Sequence, residues 1–396
     1  MTWGTIDDQS VQEAGKLIGV PLRRERMQWV EQASRDAIRH FVWGIGDNNP
    51  LWLDEAYAQG TRWGGVLAPP CFLYAVDYTV VAPKLPGVQW IYAGTDWTWF
   101  DVVRMDDKFD VRASLSGQRE MSGKTFSRWV LQDGEIDYRR RDDGDLVARA
   151  IGHCARTPRS RSAKPSAESA STPERGTRYT PEQLAAIEEQ VLAEAPSGAK
   201  TRFWEDVNEG DVVPSVVKGP LSIVDIVAWY SATQGAQPYG GVHGDALRYR
   251  KRHEDFHINE TTGAKDSAGR GHLEAQTGQD VGMGGAYDVG PQRIAWAGQM
   301  LANWLGDEGF LHKLNVEVRR PNLVGDTTWW HGEVTAKWQA DGHNLLSVRI
   351  WAVNQQEIRT AWGDAVVVLP SRQRGPVTLP LAKEYDVPDQ TEEEPA

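Results

Sequence analysis

The chain has 396 residues, 40% of them hydrophobic and 25% charged, and a formal net charge of -12. That length is too great for one small domain and supplies apolar material for two ordinary cores. The acidic balance excludes a general binder of nucleic-acid backbone, and two cysteines, Cys71 and Cys154, exclude a disulfide framework or a cysteine-rich metal centre.

The opening MTWGTIDDQSVQEAG has neither a basic region nor an apolar one, and no later apolar run reaches the ~20 residues of a membrane span. A cytoplasmic chain with no membrane or nucleic-acid partner is the expectation. Eighteen tryptophans point to large apolar cores or a roomy apolar pocket.

In chain order, IRHFVWGIGDNNPLW (38–52) leads through Gly64-Gly65 and Ala68-Pro69-Pro70 into a helix-like apolar run, CFLYAVDYTVV (71–81). Four β-rich segments follow at 88–101, 108–119, 124–140 and 145–156, with turn signals at Ser122-Gly123 and Asp143-Gly144. Residues 156–178 are rich in Ser, Pro, Ala and charge and hold no large apolar side chain, the composition of a flexible linker. A short helix is expected from Pro181 to about Glu194. Thr180 and Gln183 form its capping box, and Pro181 suits the first helical position.

Beyond it, IVAWYSATQGAQP (226–238), an extra stretch (239–271), HLEAQTGQDVGMGGAYDVG (from His272) and the helix PQRIAWAGQMLANWLG (291–306) repeat the order of the first half. Four more β-rich segments lie at 311–320, 327–338, 344–354 and 357–369, with Asp341-Gly342 as a turn. Trp52 to His272 and Pro70 to Gly290 are each 220 residues apart, and Asp107 to Asp326 is 219, so the chain is internally duplicated. A long apolar helix followed by a meander is α+β, with a sheet curled round a central helix. The implied domains are 1–155, a linker and short helix at 156–200, 201–382, and an acidic, frayed tail at 383–396.

GDNNPLWLDEAYA followed by GGVLAPP resembles the N-terminal dehydratase domain of the MaoC-like hydratase/dehydratase family, related to the dehydratase region of fatty-acid synthases. The second half resembles a MaoC or hydratase-2 domain carrying an insertion. The resemblance implies two hot-dog repeats packed as a pseudo-dimer, without a cofactor beyond the coenzyme A of the substrate. Its active segment reads G-D-x-N-P-x-H-x-D, with a glycine opening the central helix eighteen residues after the histidine. Asp47, Asn49, Pro50 and Asp54 match in the first half, but Trp52 occupies the histidine position, which implies an inactive repeat. Trp52 then either fills a vestigial pocket or lines a widened acyl tunnel. In the second half His272 keeps the spacing to Gly290, Glu274 stands at the second acid, and Gly235-Ala236-Gln237-Pro238 replaces the segment that holds the aspartate.

Hydration of an enoyl thioester requires a base for water, an acid for the α-carbon and donors for the enolate oxygen. On the resemblance, His272 takes the acid/base role, and the Gly290 N–H at a helix start is the oxyanion donor. A carboxylate from the insertion completes the pair, with Asp266 preferred over Asp245 and Asp255. Arg248, Arg250 and Arg252, with Lys251, form a basic cluster suited to the phosphates of coenzyme A, or else a solvated charged face. His253-Glu254-Asp255-Phe256-His257 matches a zinc-hydrolase pattern, but its neighbours are charged where such helices are apolar, so no metal is expected. The expected activity is (R)-specific 2-enoyl-CoA hydration or 3-hydroxyacyl-CoA dehydration, on an acyl-CoA partner, by a homodimer or hetero-oligomer of hot-dog subunits. A non-catalytic acyl-CoA-binding subunit is the alternative, and a zinc hydrolase a remote one.

Overall fold

A computed structural model describes residues 4–22, 28, 30–123, 126–158, 178–233, 244–252, 258–259, 262–266 and 268–387. Gly235-Ala236-Gln237-Pro238, His253 to His257 and most of the linker fall outside them. Two short strands, β1 (Leu67–Ala68) and β3 (Val103–Arg104), pair with each other. The first repeat's long strands are β2 (Gln89–Trp99), β4 (Phe109–Met121), β5 (Trp129–Arg140) and β6 (Leu146–Thr157). The second repeat supplies β7 (Val212–Lys218), β8 (Phe310–Val318), β9 (Thr328–Ala340), β10 (His343–Asn354) and β11 (Arg359–Val368). These nine form one antiparallel sheet in the order β4-β5-β6-β2-β8-β11-β10-β9-β7. Asp341 and Gly342 both have positive φ, 48° and 87°, as the two-residue β9–β10 hairpin requires.

The halves join through β2 and β8, which pair from Gly94↔Glu317 to Thr98↔Lys313. One of those pairs is Asp96↔Asn315, residues 219 apart in sequence. A residue facing its own equivalent across an antiparallel junction marks a two-fold axis, so the internal repeat becomes a pseudo-dimer about this pair. The loops obey the same offset. Arg104 N donates to Asp107 at 2.9 Å as Leu323 N does to Asp326 at 2.8 Å, and the β1–β3 pair Leu67↔Arg104 is matched by the bridge Tyr287↔Leu323.

The second central helix, Gly290–Leu305, lies against β2, β7, β8 and β9, and every residue but Gly290 and Asn303 is buried. Apolar side chains all round its circumference therefore match a helix enclosed by sheet. The first central segment departs from the expected run to Val81. A turn of 3-10 helix at Pro70–Phe72 leads into Leu73–Val76, and the chain then becomes extended at Asp77. Its continuation presses on the sheet, since a Cβ on Gly152 would lie 1.5 Å from Thr79 O and one on Gly134 would lie 2.3 Å from Val81 Cβ. These two glycines are cross-strand partners, so together they open the space that the extended segment fills. The two central segments cross where Gly298 faces Cys71, leaving no room for a side chain there.

The short linker helix spans Pro181–Leu192 with both capping-box bonds present. Helix Arg35–Gly44 packs on helix Ile223–Thr233, with Gly44 set against Ala232 and Phe41 edge-on to Trp229 at 5.8 Å. The tail is packed further than composition implies: Tyr385 is buried, its N–H donates to His312 Nε2 at 2.9 Å, and Lys313 pairs with Glu384 and Asp386. One aromatic ring outweighs the acidic neighbours, and the ordered boundary moves from 382 to at least Val387. Among the described residues no helix is long and apolar enough to cross a membrane.

Candidate functional site

His272 ends a turn of 3-10 helix, Ala268–His272, and Glu274 stands at the N-cap of the next helix, Ala275–Asp280. This mirrors the first repeat, where Trp52 lies in Pro50–Leu53 and Asp54 caps Glu55–Gln59. The His272 Nδ1 atom lies 3.0 Å from the Tyr287 carbonyl and 3.1 Å from that of Asp288. A carbonyl only accepts, so Nδ1 carries the proton and Nε2 presents a lone pair. Burial pushes the His272 pKa down, against opposing contributions from the Tyr287 carbonyl and the Asp288 charge. The imidazole is therefore neutral near pH 7, in the form that accepts a proton.

The stretch that fixes His272 runs directly into the central helix. Asp288 is buried in an ion pair with Arg293, whose Nε donates to Asp288 Oδ2 at 2.6 Å. Asn322 Nδ2 also donates to Asp288, at 3.0 Å, while Arg293 reaches the carbonyls of Arg320 and Thr360. The carboxylate is fully occupied by these donors, so its part at the site is to hold the 287–288 backbone still. Two residues later Gly290 opens the helix. Pro291 carries no N–H, leaving the Gly290 and Gln292 amides at the positive helix end. The glycine is dictated by packing, because a Cβ would fall 2.4 Å from the Tyr92 ring of the first repeat. Tyr92 in turn bonds Tyr74 at 3.1 Å and also Thr95, and burial raises its pKa to about 12.

Asp266 is brought to Arg270, at 3.1 Å, and accepts from Asn259 at 3.3 Å, while Arg270 also pairs with Glu274. The described bonds of His272 run to carbonyls instead, so the structure does not set Asp266 in the pairing with His272 that the sequence suggested. Arg248 is exposed and Arg250 half-buried on helix Gly244–Arg252; the Arg252 side chain falls outside the described residues. Asp288, Arg293, Asn322 and Tyr287 were not anticipated. An arginine one turn into an otherwise apolar helix was the available signal for them. Among the described residues no group of three or more His, Cys, Asp or Glu could hold a metal.

The equivalent place in the first repeat has different chemistry. Trp52 stands for His272, Leu67 for Tyr287, Ala68 for Asp288, Pro70 for Gly290 and Val103 for Asn322. Trp52 is 7% exposed and donates to Asp47 at 3.1 Å, and burial raises Asp47 to about 6 against the bonds from Asn49 and Trp52 and the charge of Lys218. Neither an imidazole nor a helix-opening N–H remains. Trp52 and those four equivalents line a small cleft, partly open to solvent, with about 50 Å³ of space for water. A second cleft lies between the linker helix, β7 and the end of the central helix, so neither of these clefts contains His272.

Residues 17–137 match the FAS1-like dehydratase domain region. Two UPF0336 proteins align at low identity: that of Streptomyces avermitilis is 25% identical over 100 residues, 23% of this chain and 66% of the relative, and that of Streptomyces griseus is 23% identical over 127 residues, 30% and 81%. The chain thus spans just under two thirds of the first of these relatives. Among solved structures, a MaoC-like dehydratase superposes with a TM-score of 0.59 at 14% identity, covering 90% of this chain and 98% of the other. A MaoC domain protein dehydratase from Chloroflexus aurantiacus gives 0.52 at 14% identity, covering 89% and 96%. The two repeats, their shared sheet and these structural likenesses give the chain a double hot-dog fold, and its first repeat, over residues 17–137, matches the FAS1-like dehydratase domain region.

Proposed function

We propose that the protein hydrates a 2-enoyl thioester, or dehydrates the 3-hydroxyacyl product, at the second repeat. The observation that carries this reading is the His272 tautomer: Nδ1–H is donated to the 287 and 288 carbonyls, and Nε2 is left as a base two residues' backbone away from a helix N-terminus. In the hydration direction Nε2 takes a proton from water as its oxygen bonds the β-carbon. The electron pair of the double bond moves onto the thioester oxygen, where the Gly290 amide and the helix dipole meet the charge. The imidazolium then returns the proton to the α-carbon, so one residue balances the step without a partner carboxylate. Arg248, Arg250 and Arg252 are the cations proposed for the coenzyme A phosphates, while Trp52, in a cleft with Leu305 at the far end of the central helix, stands apart from the second-repeat site. In this reading the enzyme needs no cofactor, works in the cytoplasm and forms a homodimer or hetero-oligomer.

Turnover of a series of trans-2-enoyl-CoA thioesters by the pure protein tests the proposal. His272→Ala should lower it by about 10²–10⁴-fold with the fold intact, and Asp266→Asn, which weakens the Arg270 pair and leaves the His272 bonds to the 287 and 288 carbonyls in place, should lower it far less. A second reading, an acyl-thioester-binding subunit without turnover, is favoured by the engagement of Asp266 with Arg270. Binding of acyl-CoA with no turnover across the series would select it.

A further inference from the structure

We propose that Trp90, carried by β2 of the first repeat, is the residue that reads acyl length at the second-repeat site, where it selects medium-length and longer acyl groups over a crotonyl-sized one. The inference rests on the reading of that repeat as a thioester site.

Each site of the pseudo-dimer is completed by the other repeat. The first-repeat cleft is lined by Trp52 and its neighbours and also by Gly309, Phe310 and Leu311, where the chain enters β8. β2 is the twin of β8, and their bulges fix the alignment. Tyr92 pairs with Cys154 and Gly94 with His153, skipping Ala93; Leu311 pairs with Val367 and Lys313 with Val366, skipping His312. Trp90, Ile91 and Tyr92 therefore stand for Gly309, Phe310 and Leu311, and the two-fold axis brings them to the second-repeat site. Two contacts place β2 there independently. A Cβ on Gly290 would lie 2.4 Å from the Tyr92 ring, and Gln89 Nε2 donates to the Val281 carbonyl at 3.3 Å.

The equivalence breaks at one position. Gly309 gives the first-repeat cleft no side chain, whereas Trp90 gives the second-repeat site an indole. Side chains two apart on a strand point the same way, and the β6 partners of Trp90 and Tyr92, Arg156 and Cys154, are both buried, so Trp90 lies on the inner face with Tyr92. It is nevertheless 47% exposed, while Trp97 and Trp99 further along the strand are closed over. A large apolar ring left open beside a site is a surface that a bound molecule covers.

Position decides which part of a thioester meets it. With the thioester oxygen at the Gly290 amide, Tyr92 flanks the reacting carbons, and Trp90 follows roughly 6–7 Å along the strand. A crotonyl group ends before that ring, and an octenoyl group lies across it. The pantetheine arm carries amides and leads to phosphates, for which Arg248 and Arg250 on helix Gly244–Arg252 are the proposed cations, so the apolar ring is left to the hydrocarbon end.

Kinetics and footprinting on the full chain test the assignment. Trp90→Ala should lower kcat/KM for trans-2-octenoyl-CoA by about tenfold or more and leave crotonyl-CoA within about twofold, and Trp90→Phe should recover most of the loss. Equal loss on both substrates, or no loss on either, overturns the proposal. Hydroxyl-radical footprinting needs neither turnover nor a variant. Octanoyl-CoA should protect Trp90 relative to Met121, which is 37% exposed and three strands away at the sheet edge, and acetyl-CoA should not. Protection of Trp90 by both to the same degree, the mark of a pantetheine contact, or by neither, overturns it as well. If the native chain hydrates no enoyl-CoA, the hydration reading fails and the footprint still decides Trp90; if Trp90→Ala hydrates both substrates as the native chain does, only the Trp90 assignment fails.

Discussion

The Trp52 indole donates its Nε1–H to Asp47 at 3.1 Å, so in the first repeat a tryptophan holds the acid while its ring closes the place that His272 holds in the second. Asp47 sits in a buried set with Lys218, whose ammonium donates to the Gly46 carbonyl at 2.9 Å and pairs with Glu194 at 3.4 Å. The pair is therefore structural. Trp52→Ala should cost about 3–5 kcal/mol in denaturant unfolding, the range for deleting a buried large aromatic. Trp52→His placed in a His272→Ala background should restore no turnover, because Pro70 supplies no N–H to an oxyanion. Recovery of enoyl-CoA hydration in that double variant would show that the first repeat retains a working site.

The second repeat depends in the same way on Asp288. Replacing it by Asn leaves Arg293, 1% exposed, as an unpaired buried charge and should cost about 3–5 kcal/mol. The double variant Asp288→Asn, Arg293→Met should regain most of that stability, since an apolar side chain of similar volume needs no counter-charge. It should not regain turnover, because the 287–288 carbonyls that orient His272 lose their clamp. Full activity in the double variant would remove Asp288 from any part in positioning His272.

Periodicity and turn chemistry made eight long strands, the capped linker helix and the two-fold repeat legible from sequence. Those signals are local, and a sheet meander expresses them directly. β7 was not foreseen, and the first central helix was drawn five residues too long, because Gly134 and Gly152 lie far downstream of Thr79 and Val81. At the candidate site, His272, Gly290 and Trp52 were picked out by the pattern and spacing that the family resemblance implies. What supports them could not be: Asp288, Arg293 and Asn322 meet only when the β8–β9 loop folds back on the helix start.

The glycine pair in β5 and β6 yields its own test. Gly152→Ala forces a methyl group onto the Thr79 carbonyl, which is backbone and cannot swing aside. The expected result is a loss of about 1–3 kcal/mol, as for overpacking a core, read as a lower Tm. Gly144→Ala, at a positive φ of 79° with open space around it, should suffer only backbone strain. Equal losses for both would show that close approach at Thr79 is not what requires Gly152.

On the solvent side of the sheet, His153 lies between Asp133, 2.7 Å from Nδ1, and Asp96, 3.0 Å from Nε2. Burial disfavours its charge, but bonds to both carboxylates win and lift its pKa to about 9. Arg119 faces the same Asp133 at 3.0 Å. A pKa raised above its unfolded value contributes stability that is complete below about 6.5 and is lost as pH climbs toward 9. Between pH 6.5 and 8.5, below the range where the buried thiols begin to matter, stability should fall by on the order of 1–2 kcal/mol. His153→Gln should flatten that slope; an unchanged slope would exclude His153 as its source.

His272 gives the opposite sign, and the difference separates it from His153. Its pKa is lowered by burial, so the unfolded chain takes up a proton near 6.5 while the folded site is still neutral. The stability tied to this group is present above pH 6.5 and declines as pH falls below it. Activity follows the same group: with the neutral imidazole as base, the acid limb of kcat/KM for enoyl-CoA hydration should have its midpoint below 6.5. Asp288→Asn, by removing the negative charge that favours the imidazolium, should move that midpoint lower still in whatever folded fraction remains. A pH–rate profile of the native chain checks the first statement, and an NMR titration of the His272 ring in the variant, which needs no turnover, checks the second. A midpoint above 6.5 in the native chain would mean that a carboxylate reaches His272 in the free enzyme, and would return the search for its partner to the 239–271 segment.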